Sequence, residues 1–505
     1  MQCGDKKKYT KYFIILCLIH TTIWSLFPYF SRISIPFDTM EGVAWGNQWM
    51  LGYNKHPPLA AWLCALFYKM GGSFGVYILA QIAIIITFIS VWKLASYYVP
   101  PLLALFSVLL LEGNLSLTLV SPNFNPTAIL APLWALLFLS FYLALKRQDK
   151  KYWIYMGILV ALNILAKYQS IIIFIVMFFF LLSTTKGRKS FKNIGIYIAI
   201  TIAITLTIPH FIYSYMHKFP EIRYALNSTV GTSRPLDHIL MPLKMILNQF
   251  GTISLSILIA LPFIFAKRDK NIAINKFNMQ FLLTMLLGPF ILTLLISIIT
   301  GSRIDNNWFV PYFSLIGLAM IVISKPILTK LNVTIVVSLL FIVFFSISFG
   351  RYGAMLLTPH YTGKVHSKSY FPSREISSKV TKIWHERYKT QLSYVAGDHY
   401  LVAYVSSLSD DKPKPFMDWD ISQSPWINQS EFLKKGAIFI WYAKNKYNVM
   451  FGQNSDYMPL KIIKKYPRAI FLGIHNFSIP FLIKGNYEPV RIGIAILPPE
   501  KSVYK

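Results

Sequence analysis

The chain is 505 residues long, 55% hydrophobic and only 14% charged, with a mean hydropathy of +0.49 and a formal net charge of +30. An ordinary soluble domain carries about 25% charged residues, so the composition excludes one and points to a polytopic membrane protein. The positive charge does not point to nucleic acid: Lys and Arg sit in short clusters between apolar runs, where membrane topology requires them.

Apolar runs of roughly the 20 residues needed to cross a ~30 Å hydrocarbon core recur along the chain. Eleven spans are predicted, near 12–30, 75–92, 98–113, 126–145, 152–166, 169–185, 193–213, 245–266, 278–300, 308–324 and 331–349. The first follows Lys6, Lys7 and Lys8; it is too long for a signal-peptide core and lacks a small-residue cleavage site, so it is read as a span. The third and fifth are short, as broken or tilted helices would be. Lys146, Arg147, Lys150 and Lys151 follow the fourth span, Lys186, Arg188, Lys189 and Lys192 the sixth, and Lys267, Arg268, Lys270 and Lys276 the eighth. With a cytoplasmic N-terminus all these clusters share one side, as the positive-inside rule demands. The segment 37–62, the polar loop 214–244 and the tail after residue 349 then face outward. The domain reading is a membrane module over 1–349, with its first outer loop at 31–74, and an outer α/β domain over 350–505.

The first outer loop reads FDTMEGVAWGNQWMLGYNKHPPLAAW, Phe37 to Trp62. As a helix from Asp38 to Leu51, ended by Gly52, it puts Asp38 and Glu41 on one face. Trp45 and Trp49 continue at steps of four, the pattern of an interfacial helix with aromatic anchors. Charged residues beside a membrane need a partner, water or a task. The plain alternative is that the acids solvate a loop; the surrounding Trp and Tyr favour a walled site for a sugar or lipid. Lys55 and His56 add positive charge. The tail lacks a long apolar run. SYVAGD (393–398), KPFMDWD and AIFIWYA read as strands, and HYLVAYVSSLS and QSEFLKKG as helices, the latter ended by Gly436. This strand–helix–strand alternation predicts a small α/β sheet. No GxGxxG follows the first strand, so a nucleotide site there is unsupported. The three cysteines, Cys3, Cys17 and Cys64, show neither metal-ligand spacing nor a disulfide framework.

The pattern Asp-x-x-Glu-Gly-x-Ala-Trp-Gly followed by Gly-Tyr-x-Lys-His-Pro-Pro-Leu resembles the first outer loop of the dolichyl-phosphate-mannose protein mannosyltransferase-like family. Bacterial members of that family include the aminoarabinose transferase of lipid A modification. SPNFNPTAILAPLWALLFLSFYLAL, LVALNILAKYQS, RIDNNWFVPYFSLIGL and VAGDHYLVAYVSSLSDDKP resemble further segments of its bacterial branch. The similarity covers most of the chain, is strongest from Asp38 to Trp62 and weakest over 214–244. It implies the GT-C fold of membrane glycosyltransferases, a sugar donor on polyprenyl (undecaprenyl) phosphate, and inverting transfer to a lipid, glycan or protein acceptor at the outer face of the inner membrane.

The resemblance implies that an acid of the first loop, Asp38 or Glu41, is the general base; the family's adjacent Asp-Glu is here split by Thr39 and Met40. A positioned carboxylate can take the proton of an acceptor hydroxyl, and a departing lipid phosphate calls for positive side chains. Lys55, His56, Lys167 and Arg303 are the candidates; Trp45, Tyr53, Asn125, Tyr168, Asn307 and Trp308 are expected to bind substrate. Each has an alternative: Lys167 as a snorkelling lysine at a span end, Arg303 as half of a loop ion pair with Asp305. Asn123 and Asn125 lie in a Pro-bounded turn. His210 reads as structural, Glu112 as the edge of a span, and Asp418–Trp419–Asp420 as a turn or an acceptor contact. No cofactor is expected, and a divalent metal is left open. The rivals are a transporter or flippase, for which repeat symmetry and midplane acids are the missing marks, and a non-catalytic assembly or receptor protein.

Overall fold

The structure, a computed structural model, describes residues 3–229, 231, 234–362, 368–444, 455–479 and 489–500. Two compact units emerge: the first comprises 1–27, 55–59 and 77–351, the second 28–54, 60–76 and 352–505.

The first unit is helical, and each of the eleven predicted spans overlaps a helix, the tenth mainly from Ile316 because 310–315 form turns. α1 (Cys3–Ser31), α3 (Leu59–Ala95), α5 (Leu130–Arg147), α9 (Ile194–Met216), α11 (Asp237–Ile264), α12 (Lys276–Thr300) and α14 (Lys330–Thr362) supply seven helices long and apolar enough to cross a membrane among the described residues. α4 (Pro101–Leu109), α6 (Lys150–Ala166), α7 (Ile171–Ser183) and α13 (Ile316–Ser324) are shorter. The chain is thus a multi-pass membrane protein in which several expected spans are too short to cross alone. α3 begins sixteen residues ahead of the predicted second span because LAAWLCALFYKM joins it across Gly71 and Gly72, where the backbone leaves helical angles. On α9, Ile200, Ile204, Ile208 and Ile212 all stay exposed. Four apolar residues at steps of four form the stripe that a helix turns toward lipid. α8 (Thr185–Ser190) and α10 (Pro220–Ser228) occupy connections. Glu112, expected only to mark a span end, is buried and bonded to His20 Nδ1 at 2.9 and 3.0 Å.

The second unit combines the first loop with the tail. Its sheet has the order β2-β1-β3-β5-β4, from β1 (Tyr394–Gly397), β2 (Lys414–Met417), β3 (Ala437–Tyr442), β4 (Ile470–Phe477) and β5 (Val490–Leu497). β1 runs parallel to β2 and β3; β5 runs antiparallel to β3 and β4. The expected strands and helices of the tail appear in register with α16 (His399–Leu408) and α17 (Gln429–Lys435), the latter stopping at Gly436. α15 (Ser373–His385) and α18 (Leu460–Lys465) complete the unit. Phe416, Phe432, Phe439 and Trp441 anchor a core on the sheet. β1 is buried at every position, as a parallel strand covered on both faces must be.

The first loop forms α2 (Phe37–Gly46), not a helix to Leu51. It stops because Gly46 packs on the start of α3: a Cβ there would lie 2.0 Å from the Ala61 carbonyl oxygen. Trp49 then takes a left-handed φ of 49°. The interfacial pattern is corrected accordingly. Trp45 is buried rather than an anchor, with its ring stacked on Tyr53 at 5.3 Å and its indole N–H directed at Met417 Sδ, 3.2 Å away. Trp49 alone is exposed.

Candidate active site

The candidate residues fall into two groups, one in each unit. In the first unit they gather around a cavity of about 560 Å³ lined by Lys55, His56, Lys167, Tyr168 and Trp308. Most of the remaining wall is apolar, including Ile164, Ile171, Phe174, Phe211, Leu226 and Ile296. Lys167 follows the last residue of α6, where unpaired helix carbonyls favour a cation. Its Nζ donates to Thr127 Oγ1 at 2.7 Å and lies 4.4 Å from the centroid of the Trp308 ring. A cation over an indole face gains about 0.5–2 kcal/mol. Lys167 is therefore buried and fixed, not snorkelling. Gln169 donates to the Trp308 carbonyl at 2.7 Å, which pins the segment bearing that ring. Tyr168 OH meets His210 Nε2 at 2.7 Å, so His210 serves as the support of a wall residue. His56 sets its ring edge-on to Tyr224 at 5.6 Å.

Three candidates are not among the cavity's lining residues. Arg303 is exposed, one residue before the lining Ile304. Asp305 does not pair with it; its carboxylate caps the turn by accepting from Asn307 N–H at 2.8 Å. Asn307 itself is exposed. Asn125 Oδ1 accepts from the backbone N–H groups of Thr127 and Ala128 at 2.9 and 3.0 Å, a local cap that holds Thr127 beneath Lys167. The sequence reading missed Glu221 and Tyr224 of α10, both of which line the cavity. Glu221 is buried and accepts from Ser214 Oγ at 2.7 Å. Burial pushes its carboxyl above the ordinary value, against the opposing pull of that hydrogen bond.

In the second unit, α2 carries both acids, but in different surroundings. Asp38 is exposed, with Tyr400 OH donating to its Oδ1 at 3.4 Å. Glu41 is buried and hydrogen-bonded to His399 Nε2. Asp418 holds the other side of that imidazole, its Oδ2 3.5 Å from Nδ1, and accepts the His399 backbone N–H at 3.1 Å. Asp418 and Trp419 adopt left-handed φ values of 51° and 56° in the turn after β2. Asp398, at the N-cap of α16, is pushed up to about 7 by burial first and by the Asp418 charge second. Trp45 and Tyr53 are buried, forming structure around α2. Among the described residues no group of three or more His, Cys, Asp or Glu side chains is arranged to hold a metal ion.

The comparisons agree with this architecture. The chain resembles ArnT from Cupriavidus metallidurans bound to undecaprenyl phosphate, with a TM-score of 0.60 and 12% identity over 98% of each chain. Its apo form matches at 0.56 and 12%, over 97% of this chain and 98% of that one. The Archaeoglobus fulgidus oligosaccharyltransferase in complex with Zn and sulfate matches at 0.45 and 12%, over 93% and 72%. No curated protein matches the chain in sequence. At 12% identity the two ArnT matches are likenesses of fold, and that fold is of GT-C type. Residues 55–213 match the family described as dolichyl-phosphate-mannose-protein mannosyltransferase. The chain thus has an ArnT-like fold of GT-C type, and just under a third of it matches the mannosyltransferase family model, in line with the resemblance of its motifs.

Proposed function

We propose that the chain is an inverting glycosyltransferase that takes a sugar from polyprenyl phosphate, with undecaprenyl phosphate the expected carrier, and transfers it to a lipid, glycan or protein acceptor at the outer face of the inner membrane. The observation that carries this reading is the cavity in which an apolar wall meets Lys55, His56 and a buried, immobilised Lys167. An isoprenoid chain needs the first feature and a phosphate the second. A point charge such as Lys suits a phosphate, and pre-set cations stabilise charge that develops on a leaving group. Arg303, adjoining the lining segment, is a further cation for that role. Glu221 fits an anion site when its buried carboxyl holds a proton, since it then donates a hydrogen bond instead of repelling the phosphate. The ArnT structure, solved with undecaprenyl phosphate, has the same fold.

Asp38 is the proposed base. Its carboxylate is exposed and takes the proton of the acceptor hydroxyl as that oxygen attacks the anomeric carbon. The bond from that carbon to the phosphate oxygen breaks, and polyprenyl phosphate leaves with the electron pair. Glu41 is committed to His399 and holds α2 in place. The test is turnover of lipid-linked sugar in membranes carrying each variant at equal expression. Asp38→Asn should lower kcat by about 10²–10⁴-fold, the usual weight of a general base. Lys167→Ala should raise the donor KM as well. Donor movement without cleavage of the sugar–phosphate bond would replace the reading with that of a transporter.

A further inference from the structure

Asp38 and Glu41 stand three apart on α2, and the two residues that receive them stand side by side in the first turn of α16. His399 takes Glu41, and Tyr400 takes Asp38. The two contacts differ in kind. The His399 contact is buried, with the imidazole held between Glu41 and Asp418 and set edge-on to Trp45 at 5.8 Å. The Tyr400 contact is exposed, yet its ring is fixed by stacking on Phe37, centroids 5.1 Å apart. Phe37 and Asp38 are neighbours, so one tyrosine grips the residue beside the acid with its ring and the acid itself with its hydroxyl. Tyr404, one turn on, donates to the Ile35 carbonyl and ties down the entry to α2.

We propose that Tyr400 is a positioning residue for Asp38, and that His399, through Glu41, anchors the helix that carries it; this rests on Asp38 being the base. The phenol donates to Oδ1 and so fixes the orientation of the carboxylate that takes the acceptor proton. A hydrogen bond donated to an ionised carboxylate favours that form over the protonated one, and this one also orients it. The titratable groups around these contacts are Asp38 and Glu41 on α2, His399, Tyr400 and Tyr404 on α16, Asp398 after β1, Asp418 after β2 and Tyr442 on β3.

The test uses the full chain in membranes and follows release of undecaprenyl phosphate from the host's own undecaprenyl-phosphate-linked sugars. Tyr400→Phe keeps the stacked ring and removes only the hydroxyl. It should lower kcat about tenfold, the worth of one hydrogen bond of about 1.4 kcal/mol, with donor KM and melting temperature unchanged. The acidic limb of its pH–rate profile should move to higher pH, a change that lost packing does not produce. His399→Ala should lower both kcat and melting temperature. His399→Gln, whose amide can donate to Glu41, should recover part of each. An inactive Asp38→Asn beside a Tyr400→Phe variant with wild-type kcat and pH profile would overturn the positioning role alone. An active Asp38→Asn would overturn the base assignment, and the positioning role with it.

Discussion

Two carboxylates one helical turn apart differ here in everything except type. Asp38 is exposed and Glu41 buried against a histidine 358 positions away in sequence. Both were legible as candidates from their spacing and aromatic surroundings. Which one is exposed was not, because that depends on packing against a helix no local window contains. Lys167 shows the same limit: its place at the end of a helix was legible, but Thr127 and Trp308, which fix it, come from two other segments. Asp398 supports a prediction at this scale. Its folded-state value is raised, to about 7, so the folded chain holds a proton that the unfolded chain releases near pH 4. Stability therefore falls as pH rises from about 4 to about 7 and is level above, with a contribution of at most about 4 kcal/mol. Asp398→Asn keeps a good N-cap and removes the titration. Melting in detergent at pH 5 and pH 8 should differ less for the variant than for the wild type.

In the tail α16, α17 and the first three strands were legible because their apolar periods and turn residues agree, whereas α15 and α18 were not read. β4 and β5 were not. β4 is interrupted by a register shift at Gly473, where φ is 99°, and leaves much of its length exposed. β5 carries Gly493 beneath the Trp441 ring, which breaks its alternation. The early end of α2 was likewise hidden, since Gly46 is dictated by a carbonyl of α3 and not by its own neighbours. Gly46→Val should cost about 1–3 kcal/mol by overpacking, lowering the melting temperature. Because it shifts the helix that carries Asp38, it should also lower kcat with less effect on donor KM. An unchanged melting temperature would show that α2 and the start of α3 part easily.

For the molecule as a whole, composition and basic clusters sufficed for a multi-pass membrane protein, and quoted motifs for its class. The cavity was half legible. Lys55, His56, Lys167, Tyr168 and Trp308 were read from sequence, whereas Glu221 and Tyr224 lie in the segment of weakest resemblance, where polar residues looked like plain loop. In a chain whose native cysteines are replaced, the charge pattern predicts that Asn123→Cys reacts with a membrane-impermeant maleimide applied outside. Gln148→Cys, beside Lys146 and Arg147, should react only after permeabilisation. The reverse pattern would place the basic clusters outside and remove the basis for an outward-facing reaction.

The bond between Glu41 and His399 has a consequence for how the protein is made. At ribosomal speeds of about 5–20 residues per second, α2 leaves the ribosome roughly 20–70 s before the helix that receives it. Through that interval Trp45 has its Tyr53 neighbour but not Met417, and an acid destined for the interior lacks the histidine that receives it. An incomplete product ending ahead of residue 399 would therefore insert its first helices and yet lack the contact that seats α2, the helix carrying the proposed base.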